Sequence, residues 1–129
     1  LVPNRHTVVC ADAFDFLDSA QKELKTWDVV ILDPPSFAPS QVVVPKALQA
    51  YQKLIALGAS VTANGGILAA GSCSSHVSLD DFTRACQEGI SKARCKATTL
   101  DIHSQPADHP VPLAMPEFRY LKFIVMRLD

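Results

Sequence analysis

The sequence carries no excess of either charge: 12 Lys and Arg stand against 13 Asp and Glu, a net charge of -1 over 129 residues. A domain that holds nucleic acid chiefly by its phosphates shows a basic surplus, so a nucleic-acid substrate would need its gross affinity from elsewhere. No apolar stretch approaches the ~20 residues that a membrane span requires. Repeats and low-complexity segments are missing as well. The four cysteines, Cys10, Cys73, Cys86 and Cys95, include no C-x-x-C pair, and no secretory leader stands ahead of them. That disfavours a zinc or disulfide framework and predicts reduced thiols in a cytoplasmic protein. The first residue is Leu1 rather than Met, from which the chain is expected to begin inside something longer.

What is present is apolar material, 48% of the residues, enough for one domain over 1–129 with a sizeable core. Short apolar runs alternate with amphipathic stretches, the pattern of an α/β domain with a largely parallel sheet. "HTVVC" (6–10) reads as a strand, followed by a helix capped by Asp12 that buries Phe16, Leu17, Ala20 and Leu24. "WDVVIL" (27–32) reads as a strand buried on both faces. Pro45 suits the first turn of a helix reaching about Ala63, which "NGG" then breaks. "GILAAGSCS" (66–74) is a third strand, and Ser78 opens a helix with Phe82, Ala85, Gly89 and Ile90 inward. "ATTLDIHS" (97–104) and "RYLKFIVMRL" (119–128), with no helix between them, are predicted to pair as an antiparallel hairpin.

"DVVILDPPSF" (28–37) is the most informative stretch, because a strand ends there in an acid and two prolines. Pro34 forces Asp33 into an extended conformation, and the loop offers carbonyls with few donors. Such a rim suits a planar group gripped through its amine hydrogens, although Asp-Pro-Pro also serves as a plain sharp turn. In open α/β sheets ligands bind beyond the carboxyl ends of the strands. Asp12, Asp33 and Cys73 all sit at such ends and are expected to converge on one crevice.

"LDPPSFA" (32–38), "GGILAAGSCSS" (65–75), "DHP" (108–110) and "PEFRYLK" (116–122) together resemble the second half of a class I S-adenosylmethionine-dependent methyltransferase. The nearest group by these motifs is the bacterial 23S ribosomal RNA 5-methylcytosine methyltransferases with an N-terminal PUA domain. The resemblance implies a Rossmann-like, mostly parallel sheet with a C-terminal antiparallel hairpin, lacking its first two strands. It implies S-adenosylmethionine as cofactor, RNA as partner, and the C-terminal portion of one catalytic domain. The family's glycine-rich loop and its acid after the second strand have no counterpart here, so weak cofactor binding and an inactive fragment are expected. An edge left unpaired on "WDVVIL" is expected either to take up residues 6–10 or to join two chains as a homodimer.

By the same resemblance Cys73 is the nucleophile that adds to carbon 6 of cytosine, and Asp33 binds the base edge. Asp12, Ala13 and Phe14 match the adenine-contacting turn, where Asp12 serves equally as a helix cap. Asp33 and Pro34 border the cofactor, while Pro35, Ser36, Phe37 and His109 border the substrate. Ser36 stands where related enzymes have a second cysteine, which leaves the general base open. Phe37 suits a stacking role or a core role alike. His109 suits the substrate border or the plain surface. Transfer to an exocyclic nitrogen, which needs no thiol, is the competing chemistry.

Overall fold

A computed structural model describes residues 5–129. Helices α1 (Ala13–Lys22), α2 (Val44–Ser60) and α3 (Leu79–Lys92) alternate with strands β1 (Trp27–Leu32), β2 (Thr62–Ser72), β3 (Ala97–His103) and β4 (Lys122–Leu128). The sheet has four strands in the order β1-β2-β4-β3. β1 and β2 are parallel, and β4 runs antiparallel to both β2 and β3. The first three strands therefore point one way, and the last is slotted between the second and third. The predicted hairpin forms, with Ala97 opposite Leu128 and His103 opposite Phe123.

The local signals explain the helices. Asp12 caps α1 by accepting from the amides of Phe14 (2.8 Å) and Asp15 (3.2 Å), and Ser78 caps α3 by accepting from Asp81 at 3.0 Å. Both helices end on a non-glycine residue in the left-handed region, Leu24 and Arg94, each at φ 57. There the amides of Lys25 and Cys95 reach back to Ala20 and Ile90. Leu24 was expected inside; the turn throws it outward to 88% exposure, while Leu17 and Ala20 carry the buried face and Phe16 stays 39% exposed.

Three further expectations need correction. Residues 6–10 form no strand and are exposed, because no neighbouring strand offers their backbone a ladder. They do not take up the edge of β1 either, since β1 pairs with β2 alone. β1 is not buried on both faces: Val30 and Leu32 are inside, whereas Val29 and Ile31 are 57% and 64% exposed. "NGG" does not break α2, which stops at Ser60. Instead Gly65 (φ 76) and Gly66 form an irregularity inside β2, where Trp27 pairs with Thr62 but Val29 pairs with Ile67. A Cβ on Gly66 would stand 2.8 Å from the Asp28 carbonyl, so only glycine lets the strands meet there.

The core lies between one face of the sheet and the helices, with Tyr51, Ile55, Leu68, Phe82 and Ile124 at 2% exposure or less. No described helix is long and apolar enough to cross a membrane. Parallel direction brings the carboxyl ends of β1, β2 and β3 to one rim, and antiparallel β4 starts there. Asp33, Cys73, His103 and Lys122 are gathered at that rim by topology alone.

Candidate active site

The two serines that flank Cys73 are buried in the core. Ser72 is 2% exposed, Ser74 0% and Tyr51 1%. The Tyr51 hydroxyl lies 2.9 Å from the Oγ atoms of both Ser72 and Ser74, and the Ser74 amide donates to Ser72 Oγ at 3.3 Å. Ser36 in the diproline loop joins them, its Oγ 3.1 Å from Ser74 Oγ. Each buried hydroxyl is thus partnered, as its desolvation demands. Ser72 and Ser74 are thus turned toward Tyr51 of α2, while Cys73 between them, just past the end of β2, lines the cavity at the sheet rim.

Cys73 is half-buried, and its Sγ lies 4.0 Å from the Pro34 carbonyl oxygen, a weak contact that ties the two loops together. Both loops open onto a cavity of about 580 Å³ whose wall includes Ile31, Asp33, Cys73, His103, Lys122 and Phe123. That size suits a small molecule or a single base. Asp33 reaches over β2 because Gly71 has no side chain; a Cβ there would stand 3.3 Å from Asp33 Oδ1.

The other expected residues are distributed around this hollow. Asp12 and Ala13 do not line it: Asp12 is exposed and engaged in capping, and Ala13 borders a separate apolar groove with Phe16, Trp27 and Val29. The segment preceding Asp12 makes no strand, so nothing draws this turn across the sheet end. Phe14 nonetheless comes within 6.4 Å of Phe37, ring to ring. Phe37 packs 4.9 Å from Tyr51, which in turn meets Phe82 edge-on at 5.2 Å, so Phe37 is an inner ring of an aromatic series that runs from Phe14 to Phe82. Pro35 is exposed on the rim. His109 also stays outside the cavity, exposed, with Nδ1 3.1 Å from Asp108, whose carboxyl it holds below the usual value.

Three cavity residues had gone unremarked. His103 lines it with Nε2 3.0 Å from Asp101. Gln105 donates to the Phe118 carbonyl and accepts from the Leu121 amide, both at 2.8 Å, pinning the long loop to the start of β4. Ser104 lies between them. Lys122 is 8% exposed and donates to the carbonyls of Ser74 and Val77 at 2.6 Å each. The strand alternation could have placed His103 at the rim, but the side-chain bonds of Gln105 leave no trace in local pattern. Among the other thiols, Cys86 is buried, which pushes it up to about 12 and keeps it protonated. No group of three His, Cys, Asp or Glu able to hold a metal ion occurs among the described residues.

No protein-family model matches the chain. It is 35% identical over 124 residues to the ribosomal RNA large subunit methyltransferase of Deinococcus radiodurans, matching 96% of this chain and 30% of that protein. It is 33% identical over 118 residues to ribosomal RNA large subunit methyltransferase I of Shewanella frigidimarina, matching 92% of this chain and 30% of that protein. Among solved structures it superposes on a Streptococcus mutans protein described as a SAM-dependent methyltransferase, with TM-score 0.78, 28% identity, and 96% of this chain covered against 31% of the other. A second, SMU.776, described as a methyltransferase and solved with SAH, gives TM-score 0.79 at 28% identity, with 96% and 32% covered. The mixed α/β sheet is thus one shared with these methyltransferase structures. The chain spans about 30% of the length of the curated relatives it matches.

Replacing Tyr51 with Phe removes the hydroxyl that joins Ser72 and Ser74 while keeping the ring. Thermal or urea unfolding should register a loss of about 1–3 kcal/mol, the cost of leaving buried hydroxyls short of a partner. A variant as stable as the parent would show that the network is not what orders these loops.

Proposed function

We propose that this chain forms the transfer side of an S-adenosylmethionine-dependent methyltransferase acting on ribosomal RNA in the cytoplasm, and that its product is 5-methylcytosine. The observation that carries the reading is the shared cavity of Asp33 and Cys73, with the thiol turned out of the core by its buried serine neighbours. The named relatives support methylation of ribosomal RNA, and the SAH-bound neighbour supports the cofactor. Assignment to the PUA-containing 5-methylcytosine enzymes rests on Cys73 in "SCS" and on the "LDPPSFA" loop.

The described residues fit one side of such a site. A carboxylate at a strand end, a carbonyl-rich diproline rim and the apolar walls of Ile31 and Phe123 suit a base and the transferring end of the cofactor. Bound S-adenosylmethionine would supply an electrophilic methyl group. Asp33 and Pro34 border its approach, and Asp12, Ala13 and Phe14, at the α1 end outside the cavity, would contact adenine. Pro35 and Phe37 border the flipped base, and His109 lies on the loop that flanks the RNA.

Carbon 5 of cytosine is a poor nucleophile until a thiolate adds to carbon 6. Cys73 forms that S–C6 bond, and the electron pair moves to carbon 5. Asp33 accepts hydrogen bonds from the base edge and holds it in plane while density rises. With carbon 5 methylated and S-adenosylhomocysteine released, a base takes the carbon 5 proton, the pair left behind re-forms the C5–C6 double bond, and the S–C6 bond breaks to restore the thiolate. Ser36 is bound to Ser74 rather than free at the rim, so the groups lining the cavity that can take the proton are Asp33 and His103.

Methylation of an exocyclic nitrogen would grip an amine between Asp33 and the Pro34 carbonyl and would not need the sulfur that lies 4.0 Å from that carbonyl. Cys73→Ala in the intact protein separates the two. Methyl incorporation into ribosomal RNA should fall roughly 10³-fold or more for carbon 5 transfer; retained activity would point to nitrogen. The 129 residues alone are a different case. β1 has one unpaired edge, and Val29 and Ile31 are exposed beside it, so the isolated chain self-associates across this edge and is inactive. Light scattering should give a mass that grows with concentration, and a strict monomer would sink this reading.

A further inference from the structure

We propose that Lys122 is a positioning residue for Cys73, fixing the turn that carries the thiol and setting a positive charge beside the sulfur in their common cavity. The inference deepens the methyl-transfer reading and rests on Cys73 being its nucleophile.

Lys122 is the first residue of β4 and pairs across the ladder with Ser72. Its ammonium is spent on two carbonyls, Ser74 and Val77, which belong to the turn between β2 and α3. The Val77 amide also bonds to the Ser74 carbonyl at 3.2 Å. Those contacts close the turn immediately after Cys73, so the backbone that carries the thiol cannot shift without breaking charge-assisted hydrogen bonds. An ammonium has three N–H donors, and these carbonyls use two.

The environment makes a purely structural lysine an odd choice. At 8% exposure the Lys122 side chain is largely withdrawn from water, and among the described residues no carboxylate lies within ion-pair distance of it. Burying a cation among neutral acceptors is costly, and an apolar side chain of similar length would brace the same volume without that cost. Beyond bracing the turn, a charge placed here gains a second use when an anion comes to the site. Cys73 lines the same cavity. Burial pulls Lys122 below the ordinary lysine value, and a thiolate at Cys73 would raise it again.

The test compares alkylation of Cys73 by anionic iodoacetate and neutral iodoacetamide, resolved by peptide mass spectrometry, with exposed Cys10 as internal reference. A neighbouring cation favours the anionic reagent, so the iodoacetate-to-iodoacetamide ratio should be higher at Cys73 than at Cys10. Lys122→Met should lower that ratio about three- to tenfold, and Lys122→Arg should restore it. If Lys122 only braces the turn, the Met variant changes both rates together and leaves the ratio unchanged, which would overturn the proposal. Should the Met variant fail to fold by circular dichroism, the parent decides, and a ratio at Cys73 no higher than at Cys10 is equally fatal. Neither reagent needs cofactor or RNA, so this result stands apart from the fate of the methylation reading.

Discussion

The hydrogen bonds between the Tyr51 hydroxyl and the two serines around Cys73 are the constraint on which the rest of the site depends. Ser72 and Ser74 are buried against Tyr51 of α2, while Cys73 between them lines the cavity with Asp33, beside the diproline carbonyl. Ser36 extends the same network into the neighbouring loop. Two loops from two parallel strands are thereby held as one unit, and the Cys73 thiol is aimed by hydroxyls buried behind it. Polar groups at zero exposure are expensive unless each has a partner. Here all of them do, and what is gained is a fixed direction for one sulfur.

A second constraint comes from the sheet. Its helices cover one face, while the other carries exposed Val29 and Ile31 near an unpaired edge. Residues 6–10, with Val8 84% exposed, belong to no ladder. Apolar surface left this open is the mark of an unfilled contact, and it fits a chain that matches about 30% of its relatives' length. The site has the same one-sided character: Asp33 and Cys73 share the cavity, whereas Asp12 stands apart from it.

Much of this was legible in the sequence because the signals were local. Caps at Asp12 and Ser78, proline at the head of α2, and the apolar periods of the helices specify their own neighbourhoods. The hairpin of β3 and β4 was legible because no helical stretch separates them. What failed was whatever depended on an absent or distant partner. "HTVVC" has strand composition but no ladder to join, and "WDVVIL" looks doubly buried but has one bare face. "NGG" carries a breaker signature that the parallel register absorbs as a bulge. In the site, Asp33 and Cys73 follow from strand ends. The Lys122 bonds to carbonyls 48 and 45 residues away, by contrast, arise only when the last strand inserts between two earlier ones.

The most direct test of the central claim uses ribosomal RNA in which 5-fluorocytosine replaces cytosine, incubated with the intact protein and S-adenosylmethionine. Fluorine at carbon 5 cannot depart as a proton does, so the thiol that adds to carbon 6 should remain attached. Digestion and mass spectrometry should find one methylated fluorocytosine nucleotide on the peptide containing Cys73. An RNA methylated without any such linkage, or a linkage at Cys10, Cys86 or Cys95 instead, would contradict the account.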